Sequence, residues 1–316
     1  METEKQKFRI AQKIAWGHMA WPQQVGEWST ASKVVFKKDD KEGRWIFDFR
    51  PLNAVTKKNL SRTVDVMHTI QDLAKCLWKT TLDAWARFNQ VKATERAKEL
   101  MQILTVAGVL QWEVMPFGVT NGPAVFQNLM DQLFQGLLGD AMSERIKDAT
   151  LGVFMDDVGI GSGKYDEGLT DDNDDSFDQH IVLLEVVLVR SQEANLTFSM
   201  RKAFFAQWVV TQLGHEVGWG YIAPDPARTT QIAGWPRPQS REDVEHFLAC
   251  MNFMRTMMCP SLAEKSAPLR VAVKELQRAR SPGYKTKFRA KGTAPTLAPD
   301  EWPELWTEEM EESLTP

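Results

Sequence analysis

Cysteine is scarce: Cys76, Cys250 and Cys259 are scattered through 316 residues, with no CxxC pair. That argues against a disulfide framework and a zinc site, and points to a reducing, intracellular address, cytoplasmic or nuclear. Long apolar runs are also missing. The longest nearly unbroken one, Ile181 to Val189, is too short to cross a bilayer and carries Glu185. The opening residues, Met1-Glu2-Thr3-Glu4-Lys5, have no hydrophobic centre of a signal peptide, so no membrane partner is expected. No internal repeat is visible. What remains, 43% hydrophobic and 25% charged, is the composition of a globular protein with room for two or three sub-domains. Disordered and collagen-like chains are excluded.

Charge says more by position than in sum. The net charge is −4, yet fourteen acids sit in two runs, Asp166 to Asp178 and Asp300 to Glu312. With those set aside the remainder carries +10. Basic residues gather from Lys33 to Arg62 and from Lys265 to Lys291. Such patches suit a polyanion, or simply a solvated surface. For the acidic run at 166–178 a solvated loop and a contact to a basic partner both stand open.

The coarse pattern is α+β. Lys5 to Trp16 reads as a helix. Val34 to Phe36 and Arg44 to Phe49 read as a hairpin with the basic tip Lys37-Lys38-Asp39-Asp40-Lys41. Val64 to Leu77 has helical spacing, and Trp78 to Asp83 is a strand ending on an acid. Two short strands are expected around Ala107-Gly108, and a helix from Pro123 to Leu138. Phe177 to Glu193 is a second long helix. Strands are expected at Leu196 to Ser199, Val209 to Leu213 and Glu216 to Ile222. Beyond Pro224-Asp225-Pro226, the expected internal boundary, the chain turns helical, with Arg241 to Met258 the main segment.

Phe154-Met155-Asp156-Asp157 carries the chemistry. Adjacent side chains on a regular strand point to opposite faces. Two neighbouring acids inside an apolar run (Leu151, Val153, Val158, Ile160) therefore fit a tight hairpin turn at a sheet edge. Burying them without a countercharge would cost several kcal/mol, roughly. A divalent cation is one countercharge, and Mg²⁺ prefers carboxylate oxygens. Asp83, ending another strand, could complete a three-carboxylate site for two metals. An ordinary Asp-Asp turn on a surface hairpin is the other reading.

The neighbouring motifs resemble those of reverse transcriptases, most of all the polymerase region of gypsy-type LTR retrotransposons, with retroviral enzymes as cousins. They come in the family's order: Lys37-Lys38-Asp39 through Arg44, Asp48-Phe49-Arg50 and Leu52-Asn53; Thr81-Leu82-Asp83 with Phe88 and Gln90-Val91; Met115 to Gln127; Phe154-Met155-Asp156-Asp157; Leu213-Gly214-His215; Pro224-Asp225-Pro226; and Trp235 to Pro238, followed by Phe247-Leu248 and Asn252-Phe253 through Arg255. The similarity spans roughly residues 20 to 260. It departs in the long acidic run, in Gly122 where alanine is usual, and between Arg62 and Met67.

The resemblance implies a right-hand polymerase of fingers (1–60 and 90–118), palm (61–89 and 119–217) and thumb with the start of a connection segment (218–316). The palm would be a small antiparallel sheet backed by helices, the thumb mostly helical. It implies RNA-dependent DNA polymerase activity on a primed RNA or DNA template with dNTPs, and two Mg²⁺ ions for which Mn²⁺ could substitute. Asp83, Asp156 and Asp157 would be the catalytic metal ligands. Lys37 (Lys38 in the other register), Arg44, Phe88, Phe117 and Gly118 would bind the dNTP. Phe88 would exclude a 2′-hydroxyl, or be a plain core aromatic. Met155, Leu213, Gly214 and His215 would meet the primer. A homodimer or support subunit stays open as a partner. No RNase H, protease or integrase segment is expected within the chain. Two other classes remain: a domesticated, non-catalytic nucleic-acid-binding subunit, and an RNA polymerase of related palm fold.

Overall fold

The computed structural model describes residues 2–35, 44–59, 65–137, 149–164, 174–235, 241–253 and 262–271. The chain opens with helix α1 (Glu2–Ala15), strands β1 (Met19–Ala20), β2 (Thr30–Val35) and β3 (Arg44–Phe47), and helices α2 (Arg50–Val55) and α3 (Val66–Ala74). Strand β4 (Cys76–Asp83) is followed by a 3₁₀ turn (Arg87–Gln90), α4 (Glu95–Leu100), β5 (Gln102–Thr105), β6 (Gly108–Trp112) and α5 (Gly122–Leu133). Next come the hairpin β7 (Ala149–Phe154) and β8 (Asp157–Lys164), helix α6 (Asp174–Glu193), and strands β9 (Phe204–Gln207), β10 (Val210–Gln212), β11 (His215–Gly218) and β12 (Tyr221–Pro224). Helices α7 (Pro226–Ala233), α8 (Arg241–Phe253) and α9 (Leu262–Lys265) follow.

Two compact units emerge. One comprises residues 1–213 with 217–221, the other 214–216 with 222–316. In the first, a five-stranded sheet has the order β1-β6-β5-β2-β3. All its pairs are antiparallel except β2 with β5, which run parallel. Its core is Ile10, Met19, Phe49, Ile103, Leu110 and Trp112. The expected hairpin is present: Val35 pairs with Arg44 and Ser32 with Phe47. Its tip, including Lys37 and Lys38, lies outside the described residues, as do most of the 166–178 run, residues 272–291 of the second basic segment and the acidic tail.

The second sheet, order β7-β8-β4-β9, is antiparallel throughout. Helices α3, α5 and α6 pack on it. Leu82, Leu151, Val153, Val158 and Ile160 from the strands meet Phe126, Met130, Leu183 and Val187 from the helices in one core. Local chemistry sets the helix ends. Asp65 caps α3 by accepting from the Met67 and His68 N–H groups, and Pro123 opens α5, where its missing N–H costs nothing. Close packing explains two glycines. A Cβ on Gly161 would lie 2.6 Å from Cys76 Sγ and 2.8 Å from its Cβ, and one on Gly159 would lie 2.6 Å from Gln212 Oε1.

Some expected boundaries move. The helix expected over 64–77 stops at Ala74, because Cys76 and Leu77 already belong to β4. Leu196 to Ser199 forms only an isolated bridge, Ala84 with Phe198, and the strand beside β4 is β9 instead. Glu216 to Ile222 splits into β11 and β12 around Trp219-Gly220, where Gly220 takes φ +75°. In the second unit, Asp225 caps α7 through the Ala227 N–H, and Trp235 packs on His246 and Phe247.

Candidate active site

Asp83 ends β4 and Asp157 begins β8, and the two are register partners in the antiparallel pair. Opposed residues in such a pair share one face, with Cβ atoms about 4.5–5.5 Å apart. Asp156 occupies the two-residue turn with Met155, between Phe154 and Asp157, which close the hairpin. The Ala84 N–H donates to the Asp156 carbonyl (2.8 Å), fastening that turn to the end of β4. Asp83 and the Asp156-Asp157 pair, which begins 73 residues later in the sequence, thus converge at one sheet edge.

Their electrostatics are uneven. Burial, then the charges of Asp156 and Asp83, push the Asp157 carboxyl up to about 6. Asp156 Oδ1 accepts from Arg87 Nη1 at 2.6 Å. Both Asp83 oxygens accept from Lys202 Nζ at 3.0 Å. The Asp83 carbonyl accepts from the Ser199 N–H (2.8 Å), and the Ser199 carbonyl from the Lys202 N–H (3.0 Å), so a short turn wraps the strand end and delivers that lysine. Among the described residues, no group of three His, Cys, Asp or Glu side chains is arranged around a metal position. The donor set itself suits a hard divalent ion: three carboxylates, one held reluctant to ionise by burial and then by its acidic neighbours, are relieved by added positive charge.

Met155 has φ +51°, a conformation that costs a side-chain-bearing residue about 1–3 kcal/mol. Gln127, on α5 and 5% exposed, holds it there. Its Oε1 accepts from the Met155 N–H (2.7 Å), and its Nε2 donates to Asp131 Oδ1 (2.8 Å) and to the Val153 carbonyl (3.4 Å). Phe88, on the 3₁₀ turn, is buried against Phe117 and Phe126, with ring centroids 5.1 and 5.9 Å away. Phe117 is half exposed. Gly118 takes φ +96°, and its loop is pinned by Asn53, which donates to the Gly118 carbonyl and accepts from the Thr120 N–H, both at 2.8 Å.

Residues 36–217 match the family model described as reverse transcriptase (RNA-dependent DNA polymerase). The chain belongs to the reverse transcriptase family. Among curated relatives, it is 26% identical to the retrovirus-related Pol polyprotein from transposon 297 of Drosophila melanogaster, over 77% of this chain and 21% of that one. It is 27% identical to the corresponding polyprotein from transposon opus, over 68% and 19%. The transposon Tf2-3 polyprotein of Schizosaccharomyces pombe is 24% identical, over 74% and 16%. This reverse transcriptase chain therefore spans about a fifth of the length of those relatives. A solved foamy viral protease–reverse transcriptase in complex with double-stranded DNA covers 98% of this chain and 47% of its own, with TM-score 0.73 and 20% identity. A second, in complex with an RNA/DNA hybrid, covers 99% and 36%, with TM-score 0.73 and 18% identity. These likenesses show a shared fold, the right-hand polymerase anticipated from the motifs.

Within that fold, the residues singled out from sequence divide. Asp83, Asp156, Asp157, Met155, Phe88 and Phe117 lie together, bridged by Arg87. Gly118 follows on the same loop. Arg44 lies on β3, its side chain outside the described residues, as is Lys37 altogether. Leu213 (φ +51°) and Gly214 (φ +79°) form the turn between β10 and β11, and His215 is buried. Sequence reasoning missed Arg87 and Lys202, and gave Asn53 and Gln127 only as members of matching motifs, with no role assigned to either. Two signals were available. Gln127 is a polar residue beside Phe126 on the inward face of α5, and Arg87 is a lone cation among apolar and small residues after Asp83.

Proposed function

We propose that this chain is the catalytic core of an RNA-dependent DNA polymerase, extending a primer 3′ end on an RNA or DNA template with dNTPs. The observation that carries the reading is the opposition of Asp83 and Asp157 with Asp156 at the adjoining turn. Asp83 and Asp156 would hold two Mg²⁺ ions, or Mn²⁺ in their place, with Asp157 beside them as the weaker ligand. When bound, such a pair lowers the pKa of the attacking hydroxyl and stabilises charge on the phosphates. The chain's own part is positioning. The turn residue Met155 meets the primer terminus, and Gln127 holds it. Phe88 and Phe117 bound the sugar pocket, and Gly118 lets the backbone approach the nucleotide. Lys37 and Arg44 neutralise triphosphate oxygens, and the turn at Leu213, Gly214 and His215 grips the primer backbone. The assignment of 1–60 and 90–118 to fingers, 61–89 and 119–217 to palm and 218–316 to thumb belongs to the same reading. So does an intracellular location. Among the described residues, no helix is long and apolar enough to cross a membrane.

The test is primer extension on a homopolymer RNA template with a DNA primer and dNTPs, with and without Mg²⁺, beside Asp156→Asn. Metal-dependent extension abolished by that substitution is expected. Template–primer binding without extension would instead mark a non-catalytic subunit. Extension with rNTPs in place of dNTPs would mark an RNA polymerase.

A further inference from the structure

We propose that Arg87 is a built-in counter-cation of the metal site, a latch on Asp156 that a divalent ion must displace before the carboxylates can close around it. The inference rests on the metal reading above.

Three observations carry it. The Arg87–Asp156 contact is short, 2.6 Å, and partly shielded, with side-chain exposures of 34% and 22%. An ion pair with that shielding is screened less than a surface pair and holds its geometry better. The guanidinium also lies over two aromatic rings, its centre 5.0 Å from the Phe88 centroid and 5.7 Å from that of Phe117, within cation–π range. Finally, the backbone presents Arg87 to the site. Ala86 takes φ +50° at the head of the 3₁₀ turn. Asn89 Nδ2 donates to the Met115 carbonyl at 3.0 Å, and Gln90 Nε2 to the Trp85 carbonyl at 2.6 Å, fixing the turn from both sides.

The contrast with Lys202 sharpens the point. Lys202 reaches Asp83 from a 65% exposed position on a flexible stem, an arrangement worth little. Arg87 is the cation with a built seat. It withdraws Asp156 from the ligand set, so metal affinity is set by competition and reduced by the fraction of molecules in which the latch is closed. Once displaced, the guanidinium remains against the two aromatic faces, available to an anionic substrate in the pocket they bound.

The experiment titrates the full chain with Mn²⁺ alone, without nucleotide or template, and follows the free-ion electron paramagnetic resonance signal. Arg87→Gln is expected to bind Mn²⁺ roughly ten-fold more tightly than the parent, as removal of one nearby positive charge implies. Unchanged or weaker binding overturns the latch. Asp156→Asn is run beside it. If that variant keeps the parent affinity, the carboxylate site itself is wrong, a failure distinct from that of the latch. A second measurement needs no variant: phenylglyoxal labelling of Arg87 in the parent chain, read by mass spectrometry of the modified peptide. Saturating Mn²⁺ is expected to speed labelling several-fold by freeing the guanidinium. Labelling that is unchanged or slower overturns the proposal.

Discussion

Asp83 and Asp157 face one another as the final register pair of the β4–β8 ladder, so the site is built by strand pairing before any ligand arrives. A one-residue slip would send one of the two to the opposite face. The hairpin turn adds Asp156, and the Ala84 N–H locks it.

Asp157 makes stability depend on pH. In the fold its carboxyl keeps a proton up to about 6, against an ordinary value of 3.8, chiefly through burial. The folded state therefore binds more protons than the unfolded one between those values, and stability falls as pH rises through that window. In chelator, Asp157→Asn is expected to flatten the fall and to exceed the parent by about 1–2 kcal/mol at neutral pH, with no advantage below pH ~4. Thermal unfolding across pH measures this, and parallel curves for the two proteins would contradict it.

Gln127 is expected to act through Met155. Gln127→Ala leaves a strained residue without its acceptor, a loss of about 1–3 kcal/mol at the turn. Hydrogen exchange at the Met155 amide should quicken and extension should slow by roughly ten-fold, while template–primer affinity changes little. Unaltered exchange would mean the side chain does not hold the turn.

Phe88 sits at the border between core and pocket. Phe88→Val should lower stability, through lost packing on Phe126, and should also raise ribonucleotide use relative to deoxyribonucleotide use. The ratio of the two incorporation rates separates the effects. An unchanged ratio at reduced stability would make Phe88 a core residue only.

Gly161 offers a test of the sheet rather than the chemistry. Gly161→Ala drives a methyl into Cys76 Sγ and Cβ, which strand pairing does not let move, and should cost about 1–3 kcal/mol. Gly136→Ala, with open space around the added carbon but φ +79°, separates backbone strain from crowding. Equal unfolding temperatures for the Gly161 variant and the parent would show that β4 and β8 yield.

Much of this was legible in the sequence because it is local. Alternation of apolar residues around Asp156-Asp157 and an apolar strand ending at Asp83 are short-range patterns, and the hairpin and β4 follow from them. Partners brought in by tertiary folding were not legible. Lys202 lies 119 residues from Asp83, and Arg87 lies 69 from Asp156. Neither spacing has a periodicity to read. The Leu196–Ser199 segment has strand-like residues, yet it serves to wrap the end of β4, and the ladder position goes to Phe204–Gln207. Tertiary context overrode propensity there.

The parallel pairing of β2 with β5 carries a consequence for how the molecule is made. Thr30 and Ala31 find Ile103 and Leu104 only after the intervening seventy-odd residues, β4 among them, have been synthesised. A nascent chain still short of Gln102 leaves one side of β2 without its neighbour, an open template for wrong association. Closure of this sheet on the ribosome must wait for that late arrival, and it joins two distant stretches of message in a single step.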